Sequence, residues 1–168
     1  ENTREGVFNA MLRREVFGTS GPRIRPRLFA GWGLDDALCD DRNMLAEAYA
    51  GGVPMGGDLA APNGVAGQKP SLLAYAVKDP EGRQLQSLQL VKGWVDADGG
   101  LHNEVIPLAE ELAGADNLCR VYSDRSFDPL QPAYYYLRAV EPASPRWHTY
   151  DCAALPADPR PAVCSDGR

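Results

Sequence analysis

The first 18 residues show the spacing of an amphipathic helix. Apolar side chains recur at helical intervals at four positions: Val7, Phe8, Met11 and Leu12. Because such a period of three to four residues is typical of a helix with one apolar face, it predicts a helix of about three or four turns. Asn2 followed by Glu5 has the spacing of a capping box, so Asn2 is the predicted N-cap. Gly18 is the predicted end of the helix.

From residue 23 onward the period changes from that of a helix to that of a strand. The apolar set that alternates along this stretch is Ile24, Pro26, Leu28 and Ala30. The opposite face carries Arg23, Arg25 and Arg27. Since proline cannot donate a ladder hydrogen bond, Pro26 predicts that this strand lies at a sheet edge or is bulged. The three arginines fit two interpretations, a stripe that binds anions and a solvated strand face.

The remaining pattern is dominated by strands. Five further stretches have strand character: 71–78, 85–95, 101–108, 118–122 and 133–141. The stretch 71–78 is apolar on both faces, which predicts a central strand covered on both sides. Helices are predicted for 42–49 and, as one turn, for 109–113, and the chain after Pro142 is predicted to be coil. This order predicts a mainly β fold, a β-sandwich (immunoglobulin-like or similar) with one N-terminal amphipathic helix and a long coil tail.

The predicted domain organisation follows the same pattern. Residues 1–18 form a connecting helix, 19–150 the β-sandwich domain, and 151–168 a proline-rich tail. The 168-residue chain has a net charge of −6, which argues against nucleic acid as a partner because phosphate binding needs a basic surface. The sequence contains no apolar run of about 18 residues, so no membrane span is predicted.

The four cysteines leave two interpretations open. Cys152 and Cys164 bracket a proline-rich stretch with no periodicity of its own, where a disulfide would restrain a segment that buries little. Disulfides form in oxidising compartments. The alternative is that Cys39, Cys119 and the other two are unpaired and partly buried thiols.

The catalytic motifs that we sought are not found in the sequence. Neither Thr19 nor Ser20 lies in a GxSxG motif, and the two histidines have no spacing that brings them to a nucleophile. His102 fits a surface position on a hairpin strand, and the aspartates at 35–41 and 96–98 fit exposed turns better than calcium loops. Tyr134, Tyr135 and Tyr136 alternate across a strand, so no stacking platform for bases is predicted. The sequence therefore predicts no catalytic residue and no metal ligand in this chain.

Several motifs together resemble a known family. They are ENTRE at 1–5, RREVFGTSGPRI at 13–24, GVPMGGD at 52–58, LVKGWVD at 90–96, FDP at 127–129, RW at 146–147 and TYD at 149–151. In this order they are similar to the C-terminal portion of the bacterial family called domain of unknown function 3604, whose members resemble PHP-type metal-dependent hydrolases. The resemblance implies that this chain follows a catalytic domain that lies upstream and contains the divalent metal. It also implies that Thr19, Ser20 and Arg23 lie towards that active site.

Two functions are compatible with these observations. The first is a non-catalytic C-terminal β-rich domain of a PHP-like hydrolase, with its own N-terminal catalytic domain as partner. It would provide scaffolding or line the entrance to the active site with Arg23, Arg25 and Arg27. The second is an independent binding module for an anionic ligand such as an acidic glycan, formed by the three arginines with Trp94 and Trp147. Many family members resemble exported proteins, which agrees with a Cys152–Cys164 disulfide and predicts a periplasmic or extracellular location; a cytoplasmic one is the alternative.

Overall fold

A computed structural model describes residues 2–60, 67–145, 147–156 and 161–164. The helices are α1 (Arg4–Leu12), α2 (Met44–Gly51) and α3 (Trp147–Ala154), and two short 3₁₀ helices span Asp36–Asp40 and Ala162–Cys164. The strands are β1 (Arg25–Trp32), β2 (Gly52–Pro54), β3 (Pro70–Val77), β4 (Leu85–Val95), β5 (Leu101–Ala115), β6 (Asn117–Ser123) and β7 (Ala133–Val140).

The seven strands of the described residues form two antiparallel sheets. Sheet A has the order β2-β1-β3-β6 and sheet B the order β5-β4-β7. The core between them is built from residues that alternate inward on both sheets, and these are Ile24, Leu28, Leu72, Ala74, Ala76, Leu85, Leu88, Leu90 and Leu137. The predicted β-sandwich is therefore confirmed. The period-two pattern identified the inward face of β1 correctly, since Ile24 and Leu28 are buried in this core.

Sheet A is covered on its outer face as well. The 3₁₀ helix Asp36–Asp40 and α2 bring Leu38, Met44 and Ala48 onto Phe29 and Leu73, which are completely buried. β3 is therefore a central strand with two covered faces, as predicted from its continuous apolar sequence. The prediction that β1 is an edge or bulged strand is wrong, because β1 lies between β2 and β3 and its register with β3 is continuous. Pro26 is tolerated because β2 pairs with Phe29, Ala30 and Gly31, so the ladder on that side does not extend to the proline.

Helix α1 differs from the prediction at both ends. The N-cap is Thr3 rather than Asn2, and the Thr3 Oγ1 accepts a hydrogen bond from the Gly6 backbone N–H at 3.0 Å. The helix ends at Leu12, well before Gly18, because Arg14 adopts a left-handed conformation with φ of 60°. The N–H of Arg14 then bonds to Met11 O and that of Glu15 to Ala10 O, each at 3.0 Å. This is the hydrogen-bond pattern of a Schellman cap, formed without glycine.

Two other predictions are wrong. The single helical turn at 109–113 does not form, because β5 continues to Ala115 and pairs there with Leu85 at the start of β4. The β4–β5 register shifts between Leu85, which pairs with Ala115, and Ser87, which pairs with Glu110. Gly114 takes a positive φ of 83°. The extra residues of β5 in this interval therefore bulge out of the ladder. The chain after Pro142 is not all coil, since it contains α3, which crosses the predicted domain boundary at 150/151.

All four cysteines are paired. The structure joins Cys152 to Cys164, the pair that the sequence singled out, across a separation of 12 residues. It also joins Cys39 to Cys119 across a separation of 80 residues, a pair that the sequence analysis missed. The second bond ties the 3₁₀ helix Asp36–Asp40 to β6 and so holds the outer cover of sheet A in place. The interpretation with four unpaired thiols is therefore wrong.

Candidate functional site

The sandwich is open along one side, where β7 is the edge of sheet B and β2 is the edge of sheet A. Two grooves lie along this side and share Met55 in their walls. The first, which we call the Trp32 groove, has a volume of about 470 Å³ and includes Trp32, Phe127 and Tyr134 among its lining residues. The second, the Thr19 groove, has a volume of about 370 Å³ and lies between residues 17–22 and 136–140.

The N-terminal segment reaches these grooves because of a glycine. Gly56 has a φ of 98°, and a Cβ at this position would overlap the carbonyl oxygen of Arg14. Only glycine combines this backbone conformation with such a close approach. Arg14 then lies at the Trp32 groove, where its guanidinium contacts the Asp58 carboxylate at 2.7 Å. Both side chains are largely exposed, so this pair contributes little to stability.

The Trp32 groove has an aromatic wall. The rings of Trp32 and Phe127 meet edge to face with 5.8 Å between their centroids. The Trp32 indole N–H donates to the Ala60 carbonyl oxygen at 2.8 Å, which fixes the orientation of the indole. Tyr134 from β7 also lines the groove and is 59% exposed.

Tyr134 and Tyr136 form a pair on the outer face of sheet B that we call the tyrosine platform. Their rings are within 9° of parallel, with 6.4 Å between centroids. In the ladder, Tyr134 lies opposite Gly93 and Tyr136 opposite Val91. A Cβ on Gly93 would overlap the Tyr134 ring, so the absence of a side chain there lets the ring cross directly over the strand. Val91 is only 5% exposed although it faces outward.

Tyr135 points to the opposite face and takes part in a buried polar cluster. The Lys92 ammonium contacts the Asp124 carboxylate at 2.6 Å, and the Tyr135 hydroxyl donates to the same carboxylate at 2.6 Å. Ser126 donates to the other oxygen of Asp124 through its N–H at 2.9 Å and its hydroxyl at 2.7 Å. The Asp124 and Lys92 side chains are 0% and 6% exposed. The cluster connects β4 and β7 of sheet B to the loop that follows β6 of sheet A.

This cluster has a defined charge state. Burial raises the pKa of Asp124, but the hydrogen bonds from Lys92, Tyr135 and Ser126 outweigh burial, so the pKa of this carboxyl lies below its ordinary value. Burial, followed by the hydrogen bond to Asp124, raises the pKa of Tyr135 far above its ordinary value. Asp124 is therefore ionised and Tyr135 is neutral at pH 7, and neither group is poised to exchange protons near neutrality.

The residues that the sequence singled out lie in several different places. Thr19 and Ser20 line the Thr19 groove. Arg23 lies at the turn between β3 and β4, where it contacts Asp79 at 3.7 Å and Glu81 at 3.3 Å. Arg27 lines a smaller pocket together with Glu15. The side chain of Arg25 is exposed on the outer face of sheet A.

These positions change the interpretation of the arginines. Arg23 is already paired with carboxylates, so the three residues do not form one uniform anionic-ligand stripe. Trp94 lies on sheet B, where its ring stacks on His102 with 5.3 Å between centroids. In the acidic-ligand site expected from the three arginines with Trp94 and Trp147, the arginines and Trp94 therefore lie on different sheets. The Trp147 side chain lies outside the described residues.

His102 occupies the surface position that was predicted. Its Nε2 contacts the Asp96 carboxylate at 2.6 Å in the hairpin between β4 and β5. The hydrogen bond from His102, followed by that from the Gly100 backbone, holds the pKa of Asp96 below its ordinary value. Within residues 2–60, 67–145, 147–156 and 161–164, no group of three or more His, Cys, Asp or Glu side chains is arranged to hold a metal. None of the helices in these residues combines the length and the apolar character that a membrane span requires.

Sequence reasoning missed two features of this region. The alternation of Tyr134, Tyr135 and Tyr136 was predicted correctly, but we overlooked that the first and third then share one face. The buried pair of Lys92 and Asp124 was also missed. Its signal was present, since Lys92 continues the inward series of Leu88 and Leu90 in β4 and a lysine at an inward position requires a buried partner.

The comparisons with known proteins identify a family. The family described as "Protein of unknown function (DUF3604)" matches residues 1–113 and 108–166. Neither the curated proteins nor the solved structures include a match to this chain. The family match covers nearly all of the chain, so the chain belongs to the DUF3604 family.

Proposed function

We propose that this chain, as a member of the DUF3604 family, is a non-catalytic β-rich domain that follows the catalytic domain of a PHP-like metal-dependent hydrolase. The observation that carries this proposal is the apolar face of α1. Val7, Phe8, Met11 and Leu12 are 53%, 60%, 64% and 66% exposed. A helix that leaves such a face open is typical of a segment that packs on another domain.

The location of this face supports a role beside the active site. Val16 and Phe17, which follow α1, are also about half exposed. Phe17 lines the Thr19 groove. A domain seated on α1 and on these two residues would therefore lie next to that groove. Thr19 and Ser20 would then line the entrance to its active site.

The catalytic chemistry belongs, in this proposal, to the upstream domain. A divalent metal held there would activate water for attack on a phosphate, sulfate or similar ester. This chain would provide scaffolding and part of the entrance. Its two disulfides, Cys39–Cys119 and Cys152–Cys164, support a periplasmic or extracellular location because such bonds persist in oxidising compartments.

The test uses the longest natural protein that contains this sequence. We expect it to bind a divalent metal and to hydrolyse p-nitrophenyl phosphate or sulfate. The double variant Phe8→Asp/Leu12→Asp places charges on the apolar face of α1. It should lower kcat/KM about tenfold, equivalent to about 1.4 kcal/mol, and should accelerate proteolysis between the two domains. The matched control is Leu130→Asp, at a loop position that is 89% exposed, and it should change neither quantity.

Two results would overturn the proposal. The first is metal-dependent ester hydrolysis by residues 1–168 alone, suppressed by a chelator, because the catalytic site would then lie in this chain. The second is a natural protein in which no further domain precedes α1, because the apolar face would then have a different occupant.

A further inference from the structure

The tyrosine platform has the properties of a ligand-binding surface rather than of a structural pair. Tyr134 and Tyr136 are 59% and 39% exposed, although ring burial is the main way in which an aromatic side chain stabilises a fold. Both rings lie along one strand and are nearly parallel. Gly93 and Val91 beneath them allow the rings to stay close to the sheet. The result is an exposed and amphipathic pair of nearly parallel rings along one strand.

Arg138 continues this surface along the same face of β7. It lies two residues beyond Tyr136 and opposite Gln89 in the ladder. Its Nη2 donates to Gln89 Oε1 at 2.8 Å, which holds the guanidinium in place while most of its donors stay open. In the described part of the chain, Arg138 is exposed and has no carboxylate partner, whereas Arg14 contacts one carboxylate and Arg23 contacts two. It is also the single charged residue among those described in the wall of the Thr19 groove.

The platform residues border both grooves. Tyr134 lines the Trp32 groove, while Tyr136 and Arg138 line the Thr19 groove. The side chains follow one another at the interval of alternate strand residues, about 7 Å. A ligand that contacts all three must therefore be extended and must run along β7. Thr19 and Ser20, on the opposite wall of the Thr19 groove, offer hydroxyl groups that both donate and accept hydrogen bonds.

We propose that the tyrosine platform and Arg138 bind a linear glycan that contains uronic acid residues. A pyranose ring presents a face of polarised C–H groups, which packs on the electron-rich face of a tyrosine. Its hydroxyl groups are matched by the tyrosine hydroxyls, Gln89, Thr19 and Ser20. A carboxylate on the sugar is matched by the planar fork of Arg138. The proposal concerns this chain by itself and does not depend on the catalytic role of an upstream domain.

A proline-rich peptide is the main alternative for an aromatic surface. Such peptides dock into grooves formed between aromatic side chains. In this protein the two rings are nearly parallel and lie in sequence along one strand, which favours flat stacking over insertion between rings. The unpaired guanidinium of Arg138 also favours an anionic ligand over an uncharged one. A proline-rich peptide is therefore included in the test as a competing ligand.

The test is titration of the intact chain, by calorimetry and NMR, with hexasaccharides of mannuronate, guluronate, galacturonate and glucuronate. Neutral hexasaccharides of mannose, galactose and glucose and a proline-rich peptide are titrated in parallel. We expect at least one uronate to bind with a Kd below about 1 mM, and its neutral counterpart to bind about tenfold more weakly. Added salt should weaken binding of the uronate, because an exposed ion pair is screened.

Five variants locate the site. Tyr134→Ala and Tyr136→Ala should each reduce affinity for the uronate about tenfold or more, while Tyr150→Ala, at an exposed position on α3, should leave it unchanged. Arg138→Gln should remove the preference for the charged sugar, while Arg125→Gln should retain it. Thermal unfolding of each variant shows whether the fold is retained.

Gly93→Ala keeps every side chain that would contact the ligand but displaces the Tyr134 ring. It should therefore weaken binding although no ligand contact has been deleted. The proposal is overturned if no uronate binds below about 1 mM. It is also overturned if binding persists in both tyrosine variants, or if the proline-rich peptide binds and the glycans do not.

Discussion

The outer faces of the two sheets differ in how they are covered. On sheet A, Phe29 and Leu73 are completely buried beneath α2 and the 3₁₀ helix Asp36–Asp40. On sheet B, Tyr134 and Tyr136 occupy the corresponding outward positions and are substantially exposed. Aliphatic and phenylalanine side chains on an outer face require a cover, whereas tyrosine tolerates water at its hydroxyl edge. The composition of each face therefore distinguishes a structural layer from a surface that is available to a ligand.

The largest expected effect comes from removing the bond that holds the cover of sheet A. The double variant Cys39→Ser/Cys119→Ser opens a loop of 80 residues, and loop-closure entropy predicts a loss of about 4.5 kcal/mol in the free energy of unfolding. Denaturant titration under non-reducing conditions measures this loss. The matched control, Cys152→Ser/Cys164→Ser, opens a loop of 12 residues and should cost about 3 kcal/mol. Equal losses would contradict the dependence on loop length.

The second expected effect compares the two outer faces directly. Phe29→Ala removes a ring that is 0% exposed and meets Tyr49 edge to face at 4.7 Å. It should reduce the free energy of unfolding by about 4 kcal/mol, because a cavity forms under the cover. Tyr136→Ala on sheet B should cost about 1 kcal/mol or less, as is usual for partly exposed positions. Similar losses in denaturant titration would mean that the tyrosine platform is a structural layer too.

The third expected effect concerns the polar cluster between the sheets. Asp124→Asn leaves the Lys92 charge buried without its carboxylate, which should cost about 3 kcal/mol at pH 7. Replacing both partners, as Lys92→Met/Asp124→Leu, should restore most of that stability, since no buried charge then remains. If the double variant were as unstable as Asp124→Asn, the cluster would stabilise the fold by more than the pairing of its two charges.

The pH dependence checks the same pair. The pKa of Asp124 is lowered in the folded protein, so its contribution to stability is fully present above its unfolded pKa of about 3.9. The folded pKa lies below this unfolded pKa, and the contribution to stability is lost as the pH falls through the folded pKa. The difference in stability between wild type and Asp124→Asn should therefore shrink on acidification below about pH 4. A difference that stays constant there would contradict the assignment.

Much of the architecture followed from sequence pattern alone. The inward face of β1, the doubly covered β3 and the exact span Leu85–Val95 of β4 were all predicted from local alternation and turn residues. These features depend on the side-chain period of a strand, which is a local property. The C-terminal end of α1 was predicted wrongly, because the helix ends in a Schellman turn at Arg14. Local preference disfavours a left-handed conformation at a residue that is not glycine.

Other features were decided by contacts between residues that are far apart in the chain. The Cys39–Cys119 bond, the extension of β5 to Ala115 and the Lys92–Asp124 pair each join such segments. The position of Arg23 was also decided by distant contacts, since its partners Asp79 and Glu81 lie more than 50 residues away in the sequence. The sequence by itself determined which faces are apolar, because periodicity is written in neighbouring residues. Only the tertiary structure decided which face is covered and which is left open, because that depends on how the sheets and their connections pack.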